Sequence, residues 1–322
     1  MSLEHTPASH RLAAWAGRVI ALALMLTTAV LAACGGGSSQ VEPFKPLRLF
    51  AFGDDASTLT PAGRKYSVNG LDASGVFNCT LDPIWIESVA ALYGFSFAEC
   101  NPTAVPTPQA KAYGAAGAKV ADVAAQVESQ VAAGGFRDRD LATLLAGIND
   151  VIELYGQYPT RAEDSLLAEA RQRGERLAQV VNRLVGLGVK VVVSDLPDVG
   201  MTPYALAQRA AHTDTDRAAL LSRLTTAFNE QLGVRVVLDG RFVGLVQAQL
   251  RFQAIRRSPQ SFGIVNAVSG ICTVALPNCT TATLVPAAVA SQALWADDTR
   301  LAPGGHAQLA TLAVDRARRN PF

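Results

Sequence analysis

Short apolar runs alternate along this chain with longer stretches whose apolar positions recur at helical spacing, and that alternation sets the expected elements. Leu47-Arg48-Leu49-Phe50-Ala51-Phe52 is brief and mostly apolar and stops at Gly53-Asp54-Asp55, so it reads as a buried first strand delivering a turn. Pro83 to Tyr93 carries Ile84, Ile86, Val89, Ala90, Leu92 and Tyr93 at helical spacing; Lys119 to Ala133 does the same with Val120, Val123, Ala124, Val127 and Val131. Leu141 to Ala146 predicts a second strand, followed by Gly147-Ile148-Asn149-Asp150 and a long helical pattern from Arg161 to Leu187. Val189 to Ser194 is a third, strongly β-branched strand. Beyond the loop Leu196-Pro197-Asp198-Val199-Gly200 come a helix from Arg217 to Leu232, a fourth strand from Phe242 to Gln247 and a closing helix from Pro303 to Arg318.

Strands alternating with helices predict an α/β domain in three layers, its mainly parallel sheet covered by helices on both faces. No internal repeat or long low-complexity linker follows residue 46, so one domain over 47–322 is expected. Ligands of open parallel sheets lie at the carboxyl ends of the strands. Three polar clusters fall there: Gly53-Asp54-Asp55, Gly147-Ile148-Asn149-Asp150 and the segment around Asp297.

Charge changes the picture by exclusion. The 322 residues hold 28 Lys+Arg against 27 Asp+Glu with no basic run, which argues against nucleic acid as a partner. A mean hydropathy of +0.20 raises the question of a membrane span, yet only Val19 to Ala33 approaches the necessary length, and Arg11 and Arg18 precede it. It reads as an export signal. Its end, Leu31-Ala32-Ala33-Cys34-Gly35, resembles the bacterial lipoprotein signal. That resemblance implies cleavage before Cys34 and lipidation of its sulfur; Gly35 in place of Asp implies sorting to the outer membrane. Residues 1–33 are then a leader, 34–46 a lipidated cysteine with a flexible tether, and the membrane a partner through Cys34. Arg11, Arg18 and Glu4 leave with the leader, and the formal charge falls to zero. Four cysteines remain in the exported chain, Cys79, Cys100, Cys272 and Cys279, with three pairings open; short local loops favour Cys79–Cys100 and Cys272–Cys279. Without C-x-x-C spacing or a nearby His, neither a metal nor a cofactor is expected.

The polar clusters carry a resemblance to the GDSL or SGNH hydrolases, serine esterases and lipases with a flavodoxin-like α/β/α domain. Phe52-Gly53-Asp54-Asp55 is similar to the first block of that family except at the nucleophile, where Asp55 stands in place of Ser. Tyr113-Gly114-Ala115-Ala116-Gly117-Ala118 resembles the second block, which implies an oxyanion-hole role for Gly117; Gly147-Ile148-Asn149-Asp150 matches the third in full, and Asn149 would line the same site. Leu196 to Pro203 resembles a loop of the bacterial esterase branch. Aligning Gly305-His306 with the last block puts the acid at Asp297 and the catalytic His position at Arg300.

A Ser-His-Asp site needs a hydroxyl nucleophile and a base that takes and returns its proton. Aspartate has no hydroxyl, and arginine stays protonated. Losing Ser or His alone costs another such hydrolase on the order of 10⁶-fold in turnover. The substitutions are matched in charge, so a network Asp55–Arg300–Asp297 is expected to fill the old site. The expected role is therefore non-catalytic: binding an acyl or carbohydrate ligand, or an envelope partner. The alternative is an active carboxylic ester hydrolase working through non-standard residues.

Other candidates have plainer explanations. Ser57 reads as a cap or turn residue rather than a nucleophile. His306 holds the place of a second, non-catalytic His, and His212 sits in a polar connection between helices. Asp54 and Asp55 with Asp150 or Asp297 match no recognised cation loop. The sequons at Asn78 and Asn278 carry no weight in a bacterial lipoprotein.

Overall fold

The apolar run after Pro46 forms strand β1 (Arg48–Gly53) in the computed structural model, which describes residues 43–322. The expected leader, Cys34 and most of the tether lie outside the described residues. β1 lies in a five-stranded parallel sheet with β2 (Ala110–Ala112), β3 (Asp140–Leu145), β4 (Lys190–Ser194) and β5 (Val243–Val246), in the spatial order β2-β1-β3-β4-β5. This is the flavodoxin-like doubly wound order, whose switch point falls between β1 and β3. The α/β class and the three layers expected from the sequence are both present.

The strands are buried for the reason their sequences suggest: Leu49, Phe52, Leu141, Leu144, Val191, Val192 and Val193 are fully enclosed between helices. On one face α4 (Glu163–Gly186) packs along α6 (Arg217–Arg235), flanked by α2 (Val120–Ala132) and α3 (Ile148–Tyr155). On the other, α8 (Pro303–Arg319) packs against α1 (Trp85–Leu92) and α7 (Ala248–Arg257) and lies over β4 and β5. No helix among the described residues is long and apolar enough to cross a membrane.

Departures from the expected elements fall into three groups. β2 is Ala-Lys-Ala, without β-branched or aromatic residues, and is held as an edge strand by its register with Leu49, Phe50 and Ala51. α5 (Pro203–Ala211) buries only Ala205 fully; α7 buries Ala248, Phe252 and Ile255 at helical spacing, but the stripe is only three residues long in a segment rich in Gln and Arg. The third departure is a small parallel pair, β6 (Asn266–Gly270) with β7 (Ala293–Trp295), which encloses a satellite core of Val68, Ile271, Cys279, Ala290, Ala296 and Ala302. The Cys272–Cys279 disulfide lies in this excursion, and Cys79–Cys100 ties the segment before α1 to the segment after it. Both bridges pair as expected. The excursion matters because it delivers the loop of Asp297 and Arg300 to the carboxyl ends of the main strands.

Candidate active site

β1 ends at Gly53 with φ +147°, where a Cβ would lie 2.2 Å from the Leu145 carbonyl of β3; glycine is required at that point. Gln126 of α2 clamps the same residue, donating to Gly53 O and accepting from Gly53 N, each at 2.9 Å. The chain then turns into a short 3₁₀ helix, Asp55–Ser57, whose cap is Asp54: its carboxylate accepts from the Ala56 N–H at 3.1 Å. Asp55 thus projects from the first residue after the turn, at the carboxyl edge of the sheet.

Its two oxygens are fully engaged. Asp55 Oδ2 accepts from the Gly117 backbone N–H at 3.0 Å and from Asn149 Nδ2 at 2.9 Å; Oδ1 accepts from Arg300 Nε at 2.9 Å. Arg300 Nη1 in turn donates to Asp297 Oδ2 at 3.1 Å. The Asp297 Oδ1 atom accepts the backbone N–H groups of Thr299 and Arg300 at 2.9 and 2.8 Å, which fixes the acid in its own loop. The five residues singled out from the sequence, Asp55, Gly117, Asn149, Asp297 and Arg300, therefore meet in one network, and Asp55–Arg300–Asp297 is the ion-pair chain anticipated.

Secondary contacts hold the donors in place. Gly117 has φ +74°, a left-handed conformation that turns its N–H toward Asp55. Asn149 also donates to Ala118 O at 3.0 Å, and Asp150 accepts from Val120 N at 3.0 Å while pairing with Arg173 of α4 at 3.2 Å. The Gly-Ile-Asn-Asp segment is thus the start of α3, with one side chain facing the site and the next holding the mouth of α2.

Electrostatics follow from this geometry. Burial alone would raise the Asp55 carboxyl, but the Asn149 amide, the Arg300 charge and the Gly117 N–H overcome it and hold the group below its ordinary value. Asp54 has no cation beside it, and its backbone donors do not offset burial: burial, then the neighbouring Asp55 charge, push its carboxyl up to about 8, so it is neutral at pH 7. Arg300 loses some basicity to burial and regains more from Asp55 and Asp297. With Asp54 neutral, two carboxylates face one guanidinium.

Beside the network lies a cavity of about 40 Å³, room for about three waters, walled chiefly by Leu145, Ile148, Leu196, Pro197, Trp295 and Leu301. No single motif contains this wall, which is why the sequence did not reveal it. Ser57 lies in the 3₁₀ turn, one of its two expected uses, but does not cap it: Asp54 is the cap, while the buried Ser57 Oγ accepts from Trp85 Nε1 at 3.2 Å. His306 lies in the first turn of α8, fully buried, with neither ring nitrogen hydrogen-bonded among the described residues; burial, then Lys65, bring its pKa down to about 3. His212 is exposed in the connection between α5 and α6. Among the described residues no group of three or more His, Cys, Asp or Glu could hold a metal ion.

Fold and site together define a flavodoxin-like α/β domain in which two donors at the carboxyl edge of the sheet, Gly117 N and Asn149 Nδ2, are occupied by the chain's own Asp55 carboxylate. No family model and no curated protein matches the chain. Among solved structures it is similar to a member of the lipolytic G-D-S-L family from Veillonella parvula, with 12% identity, 83% of this chain and 96% of that one covered, and a TM-score of 0.43. It is also similar to the acetylxylan esterase Axe2 from Geobacillus stearothermophilus (17% identity, 85% and 95% covered, TM-score 0.41). The acetyl xylan esterase AlAXEase stands at 14% identity, 82% and 96% covered, and a TM-score of 0.43. Likenesses at this level concern the path of the chain, and the chemistry of this site rests on its own residues.

Proposed function

We propose that this chain is an envelope lipoprotein, anchored through Cys34, whose SGNH-hydrolase-like site has been turned from ester hydrolysis to ligand binding. The observation that carries this reading is the position of Asp55 Oδ2 on both Gly117 N and Asn149 Nδ2. Those two donors would otherwise stabilise the oxyanion of a tetrahedral intermediate. Here they hold a permanent negative charge that is covalently tethered, so a neutral ester carbonyl competes poorly for them. The nucleophile and base positions carry a carboxylate and a guanidinium, neither of which can perform its step.

The ligand class follows from charge and wall chemistry. An excess of one carboxylate over the single guanidinium disfavours anions, while a small apolar pocket beside hydrogen-bonding groups suits a neutral acyl group or an acylated carbohydrate. An envelope partner presenting such a group would use the same contacts.

The direct test is hydrolysis of p-nitrophenyl acetate by the wild type and by the double variant Asp55→Ser/Arg300→His. The wild type is expected to turn over no faster than its Asp297→Ala variant. The double variant is expected to hydrolyse the ester and to lose this on adding Asn149→Ala. Wild-type turnover well above that of Asp297→Ala would restore the enzyme reading, and an inert double variant would mean that the Gly117–Asn149 donors no longer form a competent hole.

A further inference from the structure

The opposite edge of the sheet has a different chemistry. All five main strands are parallel, so they begin along one edge, marked by the pairs Arg48↔Asp140, Leu141↔Lys190 and Val191↔Val243. The described chain begins at this edge: Arg139 Nε donates to Lys45 O at 2.8 Å, and the Phe44 ring meets that of Phe322 edge-on at 5.5 Å. The C-terminal end of α8 reaches the same place, since Asn320 donates to Gly240 O in the loop before β5. That loop is fixed, with Val237 N donating to Asn182 Oδ1 at 2.8 Å and Asn182 Nδ2 donating to Arg235 O at 2.9 Å.

Four large apolar side chains nevertheless stand out from this edge: Val234 is 74% exposed, Leu238 62%, Leu47 55% and Val237 47%. Between and around them lie the exposed cations Lys45, Arg137, Arg139, Arg235 and Arg241, against Asp138 and an Asp239 already paired with Arg241 at 2.7 Å. Arg235 reaches Glu175 only at 3.5 Å. Protruding aliphatic side chains rimmed by basic groups match an interface of acyl chains beneath anionic headgroups.

We infer that this edge is a lipid-docking face: the strand starts, with Leu47, Val234, Val237 and Leu238, rest on an anionic bilayer, and the cleft at Asp55 points away from it. The inference rests on the anchor reading above. From Cys34 to Pro43 the chain spans at most about 30 Å when fully extended, so a lipid on Cys34 keeps the bilayer near the edge where Pro43 emerges. A neutral ligand then reaches the cleft from the aqueous side.

The test uses the lipidated chain from Cys34 onward, which lacks Trp15, reconstituted into vesicles of phosphatidylethanolamine and phosphatidylglycerol with brominated acyl chains. Leu238→Trp is expected to be blue-shifted and quenched roughly two-fold. Leu250→Trp, on α7 at the opposite edge, is expected to be unaffected, and the buried Trp85 and Trp295 contribute the same background to both. Adding Lys45→Glu and Arg139→Glu should relieve the quenching. Equal quenching at both positions, or none at Leu238→Trp in vesicle-bound protein, overturns the docking face while leaving the anchor intact. A blue shift at Leu238→Trp without quenching by bromine means a protein covers this face and also overturns it. Failure of the lipidated chain to float with vesicles overturns the anchor itself, and the inference with it.

Discussion

Two of the clusters that join a cation to a carboxylate, one at the cleft and one inside the fold, differ chiefly in the cation's access to water. At the cleft, the Arg300 side chain is 33% exposed and Asp297 29%, and every oxygen of Asp55 has a partner. Beneath α1 and α8, the Lys65 side chain is 0% exposed, its ammonium held by Leu81 O at 2.6 Å, Asp82 O at 3.0 Å and Glu87 at 3.1 Å. Burial lowers the Lys65 pKa and raises that of Glu87, each pulled back in part by the other's charge, and the neutral His306 lies within reach of the same ammonium. Water can reach the guanidinium side of the cleft network, whereas the Lys65 ammonium is enclosed and has only Glu87 and the two backbone carbonyls to hold it. The cleft charges are accordingly replaceable without loss of the fold, and the sealed ones are structural.

The largest test of this contrast is Glu87→Gln. It leaves the Lys65 ammonium enclosed without its contacting counter-charge, with only the Asp82 carboxylate acting on it from farther off, and is expected to lower stability by about 3 kcal/mol in chemical denaturation. Lys65→Met combined with Glu87→Gln should recover much of that loss, because the burial penalty then disappears.

Next comes the pH dependence contributed by His306. Its folded pKa of about 3 lies below the ordinary 6.5, so the unfolded chain binds the proton first. The associated stability is complete above pH 6.5 and is lost as the pH falls toward 3, about 2 kcal/mol of it by pH 5. Asp54, whose carboxyl is pushed up to about 8, acts in the opposite sense, since the folded state holds its proton while the unfolded state has released it. The proper readout is thus the difference between wild type and His306→Phe across pH 7 to 5; an unchanging difference would mean that the imidazole finds water.

Arg300→Met is expected to cost less, about 1–2 kcal/mol, because Asp55 keeps Gly117 and Asn149 and water fills the gap. NMR titration should find the Asp55 carboxyl raised relative to wild type. Asp297→Asn is smallest, below about 1 kcal/mol by thermal denaturation, its partner being partly solvated. If Arg300→Met proved more destabilising than Glu87→Gln, the contrast between cleft and interior would fail.

The legible parts of the molecule were those with a local signal. β1, β3 and β4 are continuous apolar runs, and α2, α4 and α6 bury faces that recur at helical spacing, so burial leaves its period in the sequence. β2 and α5 leave none and α7 only three positions, because neighbours from elsewhere in the chain stabilise them. The same division runs through the site. Asp55, Gly117, Asn149, Asp297 and Arg300 sit in recognisable blocks, while the wall formed by Leu196, Trp295 and Leu301 and the partner of Ser57, Trp85, come from segments that no short motif links.

The side-chain chemistry at positions 55 and 300 was determined by the sequence alone: a carboxyl has no nucleophilic hydroxyl and a guanidinium is no base, wherever the fold puts them. Only the tertiary structure decided that the Asp55 carboxylate turns into the Gly117 and Asn149 donors with Arg300, 245 residues away, closing on its other oxygen. It likewise decided that His306 is sealed from water and that the strand starts gather exposed valines and leucines among cations. Residue type sets what a group can do, whereas desolvation and hydrogen bonding depend on distances that appear only when remote segments pack together.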